Sequence, residues 1–310
     1  MTDRYAVVGN PVAHSRSPAI HARFARQTGQ DIEYGRLLAP LDGFRETVER
    51  FRSEGGRGLN VTLPFKLEAW ALATTRTPRA AAAGAVNTLR FDDGQVLGDN
   101  TDGAGLVRDI EGRLGLPLAG CSLLMLGAGG AARGVLLPLL QAGVARLVVA
   151  NRSVDKARML VADLGVAVTR SAAAGSTVTG STVTGSAATD STATDSTATG
   201  TGRLAATGFD ALTPDYDLII NATSAGLDQA ELPVPAAVLA RARLAYDMVY
   251  AAVPTAFMRQ AQRAGGVRSS DGLGMLVEQA AESFEVWRGV RPQTVDVYAA
   301  LRAELDAVEH

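Results

Sequence analysis

The chain contains 310 residues, of which 47% are hydrophobic and 20% charged. This composition is typical of a folded protein and leaves room for about two domains. The 30 Lys and Arg residues nearly balance the 32 Asp and Glu residues, so the formal net charge is −2. That balance excludes the broad basic field used for non-specific binding to nucleic acids or anionic membranes, and we expect neither as a partner.

Cysteine and histidine are scarce. Cys121 is the one cysteine, so no intrachain disulfide can form, and with only three histidines the chain does not favour a structural metal site. The N-terminus lacks the long apolar core of a signal peptide, and no stretch reaches the ~18 apolar residues of a membrane-spanning helix. We therefore expect a cytoplasmic protein without a metal.

Short apolar strands alternate with amphipathic helices along the chain. The pattern predicts strands over 5–10, 33–39 and 58–63, each followed by a helix, over 18–28, 43–54 and 66–74. After a hinge at 100–105, a second series predicts strands over 122–127, 146–151, 217–223 and 244–250, helices over 131–142 and 155–163, and helices throughout 274–308. Strand–helix alternation is typical of mainly parallel sheets, so we expect an α/β fold of two domains closed by C-terminal helices.

Residues 171–202 differ from the rest of the chain. They contain only Ser, Ala, Gly, Thr, Val and Asp, and much of the segment repeats every five residues, as in GSTVT and DSTAT. Without large apolar side chains, burial cannot offset the entropy of ordering. We predict a disordered surface insert, with a tether for a partner as the alternative.

A glycine motif follows the strand predicted over 122–127. Gly127, Gly129 and Ala132 form a GxGxxA pattern between that strand and a helix, which is the context of a dinucleotide-binding turn. Gly127 allows the tight turn, Gly129 lets the backbone approach a pyrophosphate, and the helix N-terminus offers free N–H groups. The alternative is a turn without a ligand.

The end of the next strand carries Asn151, Arg152 and Ser153, with Lys156 nearby. An NAD enzyme usually has a carboxylate here for the ribose 2′-hydroxyl, whereas cations and donors suit a 2′-phosphate. Cations also oppose the dipole at a helix N-terminus, which indicates that an anion belongs there. We predict NADP as the cofactor.

Two further segments carry polar side chains toward a ligand. Ser15 and Ser17 precede a helix that starts with Pro18, so Ser17 is the expected N-cap and the pair forms a small anion site or merely a cap. In NVTLPFK, Pro64 ends the strand and Lys66 projects from the carboxyl edge of the sheet, where open α/β sheets bind ligands.

Nine motifs together resemble the shikimate dehydrogenase family, and the resemblance spans nearly the whole chain except 171–202. In chain order they are SRS, NVTLPFK, AGAVNT, DNTDG, GAGGAAR, NRS, NATSAG, DMVY and DGLGMLVEQA. The resemblance implies NADP-dependent, reversible reduction of 3-dehydroshikimate to shikimate, in the route through chorismate to aromatic amino acids. It implies a substrate domain over 1–103 plus 274–310, a Rossmann-type NADP domain over 104–273, and a monomer or homodimer.

The same resemblance implies roles for individual residues. Lys66 and Asp102 become the catalytic pair. The substrate is held by Ser15, Ser17, Thr62, Lys66, Asn87, Asp102, Tyr250 and Gln279. The cofactor is held by Gly127, Ala128, Gly129, Gly130, Ala131, Asn151, Arg152, Ser153, Lys156, Met248 and Gly272. Ser153 stands where the family often has Thr. Pro78 stands where we expect a polar side chain near the nicotinamide, so it is left out of the site.

General acid–base chemistry is consistent with these roles. An ammonium group can donate the proton that ketone reduction needs, and a neighbouring carboxylate can orient that ammonium group. The nearest alternative is a quinate/shikimate dehydrogenase with broader substrate and NAD use. A non-catalytic ligand-binding regulator is disfavoured because Lys66 and Asp102 are both present. A structural protein built around the repeat is disfavoured by the intact motifs elsewhere. For Gln279, a helix-surface amide is the alternative role.

Overall fold

The computed structural model describes residues 2–92, 94–173, 203–223 and 231–307. They contain two six-stranded sheets. The first sheet comprises β1 (Asp3–Gly9), β2 (Ile32–Leu38), β3 (Gly56–Val61), β4 (Thr75–Arg76), β5 (Thr88–Asp92) and β6 (Gln95–Asp99). The second comprises β7 (Ser122–Leu126), β8 (Arg146–Ala150), β9 (Leu204–Thr207), β10 (Leu218–Asn221), β11 (Leu244–Asp247) and β12 (Ser269–Ser270).

Eleven α-helices connect and cover these sheets within the described residues. They are α1 (Ser17–Thr28), α2 (Phe44–Ser53), α3 (Lys66–Leu72), α4 (Pro78–Ala83), α5 (Asp102–Arg108), α6 (Gly130–Gln141), α7 (Val154–Ala173), α8 (Ala236–Leu239), α9 (Ala256–Gly265), α10 (Leu273–Arg288) and α11 (Val295–Asp306). Among the described residues, no helix is both long and apolar enough to cross a membrane.

The second sheet is parallel throughout, in the order β12-β11-β10-β7-β8-β9. The chain leaves β7 in one direction toward β9 and then returns to the other side of β7 with β10. This doubly wound order places a topological switch point at the carboxyl ends of β7 and β10, where such sheets bind ligands. Apolar layers cover both faces of the sheet, so the predicted Rossmann-type architecture is confirmed.

The first sheet is mixed, in the order β2-β1-β3-β5-β6-β4. Its parallel pairs match the prediction, but β5 pairs antiparallel with both β3 and β6, and this hairpin was not predicted. Asp93-Gly94 between two short apolar runs is a hairpin signal that the sequence did contain. The hairpin places Asn87 at one end of β5 and Asn100 just after β6.

Two predicted boundaries are wrong. Helix α7 continues to Ala173, so it extends beyond the predicted end at 163 and into the segment predicted to be disordered. The rest of that insert, 174–202, lies outside the described residues. Helix α1 begins at Ser17, and its N-cap is Arg16, whose side chain makes no capping hydrogen bond.

Helix α5 packs closely against helices from both parts of the chain. A Cβ atom at Gly103 would lie 2.4 Å from Pro138 Cγ of α6 and 2.9 Å from the Gly134 oxygen. A Cβ atom at Gly105 would lie 2.6 Å from the backbone nitrogen of Gln279 on α10. Because backbone atoms cannot move aside, these glycines set how closely the three helices approach.

We expect Gly105→Ala to lower the free energy of unfolding by about 1–3 kcal/mol, because the added methyl group must push α5 and α10 apart. Gly112→Ala is the matched control, since a Cβ atom there meets nothing within 4 Å. Urea unfolding of the two variants and the parent measures the difference. Equal stability of both variants would show that the α5–α10 contact tolerates a methyl group.

Candidate active site

A cleft of about 980 Å³ opens at the carboxyl ends of both sheets. It is lined by every predicted site residue except Ser153. The predicted residues that line it are Ser15, Ser17, Thr62, Lys66, Asn87, Asp102, Gly127, Ala128, Gly129, Gly130, Ala131, Asn151, Arg152, Lys156, Met248, Tyr250, Gly272 and Gln279. The fold therefore brings residues far apart in sequence to one cavity.

The glycine turn lies at the switch point of the second sheet. Gly127 has a φ of 103°, and a Cβ atom there would lie 3.0 Å from Thr223 Cγ2, so both the backbone conformation and the space favour glycine. Cβ atoms at Gly129 and Gly130 would meet nothing within 4 Å. The N-terminus of α6 thus faces open space, which fits a pyrophosphate.

Two cations lie beside this turn. Arg152 and Lys156 are exposed and line the cleft at the start of α7. Neither makes an ion pair with any described residue, so both charges are available to a ligand. Asn151 Nδ2 donates to the carbonyl oxygen of Ser153 (2.9 Å). Ser153 therefore contributes its backbone oxygen to this hydrogen bond. Its side chain is exposed and does not line the cleft.

Lys66 and Asp102 are in direct contact at the centre of the cleft. Each is the first residue of a helix, α3 and α5 respectively. Lys66 Nζ donates to Asp102 Oδ2 at 2.5 Å, while Asn87 Nδ2 donates to Asp102 Oδ1 at 2.8 Å. The carboxylate is therefore fixed from two sides, and the amine is held with about a quarter of the side chain exposed to the cleft.

The amide of Asn87 has a fixed orientation. Its Oδ1 accepts hydrogen bonds from the Thr101 backbone nitrogen and from the Thr88 hydroxyl, both at 2.9 Å. The Nδ2 group must then face Asp102 and Gln279, whose Oε1 lies 3.3 Å away. Gln279 therefore faces the site, and the alternative of a helix-surface amide does not describe its placement.

A second layer of buried polar groups supports the contacts of Lys66, Asp102 and Asn87. Most of this layer was not predicted from the sequence. Asn60 Nδ2 donates to Ser283 Oγ (2.9 Å), and Ser283 Oγ lies 2.7 Å from the Thr88 hydroxyl. Asn60 Oδ1 accepts from Tyr34 (2.7 Å) and contacts His21 Nε2 (3.1 Å). The position of Ser283 one helical turn after Gln279 was the available signal.

His21 is fully buried in this layer and stacks on Tyr34 with ring centroids 4.2 Å apart. Burial lowers the pKa of His21 to about 3, although its hydrogen bond to Asn60 acts in the opposite direction. The imidazole is therefore neutral at pH 7. Its Nε2 carries the proton, because the Asn60 oxygen that it contacts can only accept.

This burial predicts a pH-dependent stability. The unfolded chain binds a proton at His21 below pH 6.5, whereas the folded protein does not until about pH 3, so stability is lost as the pH falls. We expect the free energy of unfolding to drop by about 2 kcal/mol between pH 7 and pH 5 from this residue. In His21→Gln, which keeps a donor but cannot titrate, urea unfolding should show a flatter profile; an unchanged slope would contradict the assignment.

The residues predicted to hold the substrate carboxylate, Ser15, Ser17 and Tyr250, lie at the other end of the cleft from the glycine turn. The Ser15 hydroxyl accepts a hydrogen bond from the Ser17 backbone nitrogen at 3.3 Å. Ser17, predicted as the N-cap, is instead the first helical residue, because Ser15 satisfies that N–H group. Burial raises the pKa of the Tyr250 phenol, although the charge of Arg16 acts to lower it. Tyr250 therefore keeps its proton and can donate to an anion.

Comparisons with known proteins agree with this geometry. Three family models match: the shikimate dehydrogenase substrate binding domain over 7–89, shikimate / quinate 5-dehydrogenase over 111–180, and the shikimate 5'-dehydrogenase C-terminal domain over 272–302. The shikimate dehydrogenase (NADP(+)) of Herminiimonas arsenicoxydans is 55% identical over 306 residues, which cover 98% of this chain and 99% of the relative. The chain belongs to the shikimate dehydrogenase family.

Solved structures of similar fold include two informative ones. An Ael1 enzyme from Pseudomonas putida has a TM-score of 0.81 at 45% identity, covering 97% of this chain and 98% of that one. Shikimate 5-dehydrogenase from Thermus thermophilus, solved with NADP(H) and shikimate, has a TM-score of 0.78 at 31% identity, covering 97% of this chain and 99% of that one. The family assignment thus holds for sequence and for fold.

Pro78 departs from the side chain expected of a shikimate dehydrogenase near the nicotinamide. The residue is exposed, lies in the first turn of α4 and does not line the cleft. Thr77 caps that helix by accepting from the Ala80 backbone nitrogen. Proline is well suited to this first turn because its missing N–H group is not needed there.

Proposed function

We propose that the chain catalyses the NADP-dependent, reversible reduction of 3-dehydroshikimate to shikimate, a step toward chorismate and the aromatic amino acids. The observation that carries the proposal is the contact of Lys66 with Asp102 in the middle of a cleft. One end of that cleft offers a glycine turn and two cations, and the other offers hydroxyl donors. The cleft can therefore bind a nucleotide at one end and a polyhydroxy acid at the other, with a proton donor between them.

The nucleotide end is assigned from the open helix N-terminus and the two cations beside it. Backbone N–H groups of 129–131 would hold the pyrophosphate, and Arg152 and Lys156 would hold the 2′-phosphate. Met248 and Gly272 would border the nicotinamide, since a Cβ atom at Gly272 would lie 2.3 Å from the Met248 oxygen and glycine keeps this wall close. When bound, the reduced cofactor supplies the hydride.

The substrate end is assigned from its donors. Ser15, Ser17 and Tyr250 would hold the carboxylate. Thr62, Asn87 and Gln279 would hold the ring hydroxyls, because amide and hydroxyl groups both donate and accept hydrogen bonds, as each ring hydroxyl does. The fixed amide of Asn87 would set the orientation of the ring relative to Lys66.

Lys66 would move the proton. In reduction its ammonium group donates a proton to the carbonyl oxygen as that oxygen becomes a hydroxyl. In oxidation the neutral amine removes the same proton. Asp102, held by Asn87, orients the amine and accepts a hydrogen bond from a neighbouring substrate hydroxyl.

We also propose the division of the chain into a substrate domain, 1–103 plus 274–310, and a nucleotide domain, 104–273. Helix α10 supports this division, because its Trp287 Nε1 donates to the Leu89 oxygen of the first sheet (2.9 Å) and its Ser283 joins the polar layer there.

We also propose a cytoplasmic location, because the single thiol of the protein is buried and free. We expect a monomer or a homodimer, and size-exclusion chromatography distinguishes the two.

An absorbance assay at 340 nm tests the function. Purified protein is given shikimate or quinate, each with NADP⁺ or NAD⁺. We expect turnover of shikimate with NADP⁺. Comparable rates with quinate or NAD⁺ would favour a broader quinate/shikimate dehydrogenase. Absence of turnover in all four pairs, from folded protein that still binds shikimate, would refute the proposal and leave a binding protein.

A further inference from the structure

Arg16 lies between the two serines at the substrate end and lines the cleft with them. Its side chain is 35% exposed, and its nearest acidic partner among the described residues is Glu304 of α11, at 3.9 Å. That distance is at the upper end for an ion pair. The same carboxylate makes a much closer contact with Arg23. Arg16 therefore carries a charge that is only loosely paired.

The surroundings of Arg16 favour an anion. Tyr250 is close enough for the charge of Arg16 to act on its pKa, and its phenol keeps its proton. Ser15 and Ser17 lie on either side of Arg16 in the chain, at the positive end of α1. Among the described residues that line the cleft, Asp102 is the only acidic one, and Lys66 already neutralises it. Nothing acidic in the described lining opposes a carboxylate at this end.

We propose that Arg16 attracts and selects the substrate carboxylate, exchanging its loose contact with Glu304 for a charge-assisted hydrogen bond to the substrate. The inference rests on the proposed function and adds a specificity-determining residue to it. A guanidinium group suits this role because it presents several donors in one plane and remains charged at any accessible pH. A charge of this kind distinguishes a cyclic acid from an uncharged polyol of the same shape.

The test compares shikimate with its methyl ester, which keeps the ring hydroxyls but lacks the negative charge. In Arg16→Gln we expect KM for shikimate to rise by about tenfold or more at low salt, with kcat within twofold of the parent. KM for the ester should stay unchanged. Arg16→Lys should restore most of the affinity for shikimate. Raising the salt concentration should reduce the difference between parent and Arg16→Gln, because the site is partly exposed.

Arg26→Gln is the matched control, since it removes the same charge from the last turn of the same helix, where the side chain is exposed. It should leave both KM values unchanged. If Arg16→Gln raises KM equally for acid and ester, or raises neither, the inference is wrong while the proposed function stands. If the parent protein itself oxidises no shikimate, the proposed function fails and the inference fails with it.

Glu304→Gln tests the exchange of partners. Because it removes the competing carboxylate, we expect KM for shikimate to stay equal or fall. A rise as large as that in Arg16→Gln would show that Glu304 holds Arg16 in its working position, which would overturn the exchange. Thermal unfolding of each variant confirms that the comparison is made between folded proteins.

Discussion

Replacing Lys66 with Ala is expected to lower kcat by about 10² to 10⁴ while changing the affinity for shikimate far less. The amine is the group at the centre of the cleft that can both donate and remove a proton, and its contact with Asp102 at 2.5 Å shows that it is already oriented. The ring hydroxyls and the carboxylate would still be held by other residues. Steady-state kinetics in both directions, together with calorimetric titration of shikimate, separates kcat from binding.

Lys66→Arg is the informative control. Arginine keeps the positive charge and the contact with Asp102, but it cannot lose its proton at accessible pH. If proton transfer is the role of Lys66, shikimate oxidation should fall about as far in Lys66→Arg as in Lys66→Ala. If the role is purely electrostatic, Lys66→Arg should retain most of the rate, which would contradict the mechanism.

Removing both cations at the nucleotide end is expected to give the second large effect. In the double variant Arg152→Gln, Lys156→Gln, KM for NADP⁺ should rise by roughly 10² to 10⁴, because each charge-assisted hydrogen bond to the 2′-phosphate contributes about 1.5–3 kcal/mol. KM for NAD⁺, which lacks that phosphate, should change little. The ratio of kcat/KM for the two nucleotides measures the loss directly.

Arg158→Gln provides the matched control for this pair. Arg158 lies on α7, as Lys156 does, pairs with Asp155 at 3.3 Å and does not line the cleft. Its removal should leave both KM values unchanged. An equal rise of KM for NADP⁺ and NAD⁺ in the double variant would mean that the cations contact the pyrophosphate or the fold rather than the 2′-phosphate.

The parts of the site that the sequence predicted are those fixed by local geometry. Gly127 and Gly129 follow a strand directly, so their position at the mouth of α6 depends only on one turn. Pro64 ends β3 shortly before Lys66, which places the amine at the carboxyl edge of the first sheet. In each case the backbone within a few residues determines where the side chain lies.

The buried polar layer was missed because it depends on contacts between distant residues. The polar layer joins Asn60 to Ser283, 223 positions away in the chain, and no local spacing shows that such residues meet.

The capping of α1 was misassigned because Ser15 and Ser17 are equally good caps by type, and only the observed turn shows that Ser15 accepts the N–H group. The length of α7 was underestimated because its apolar periodicity fades before the helix ends.

Lysine is scarce in this chain, and the positions of its lysines have a practical consequence. Two of the 30 basic residues are lysines, and both Lys66 and Lys156 line the same cavity, at its centre and at its nucleotide end. Among the side chains, amine-acylating reagents therefore have targets only in the lining of the cleft, so immobilising or labelling the protein through lysine would block its own ligands. Conversely, the two amines can be followed individually, and protection of Lys156 by a nucleotide or of Lys66 by a cyclic acid would report which end of the cleft is filled.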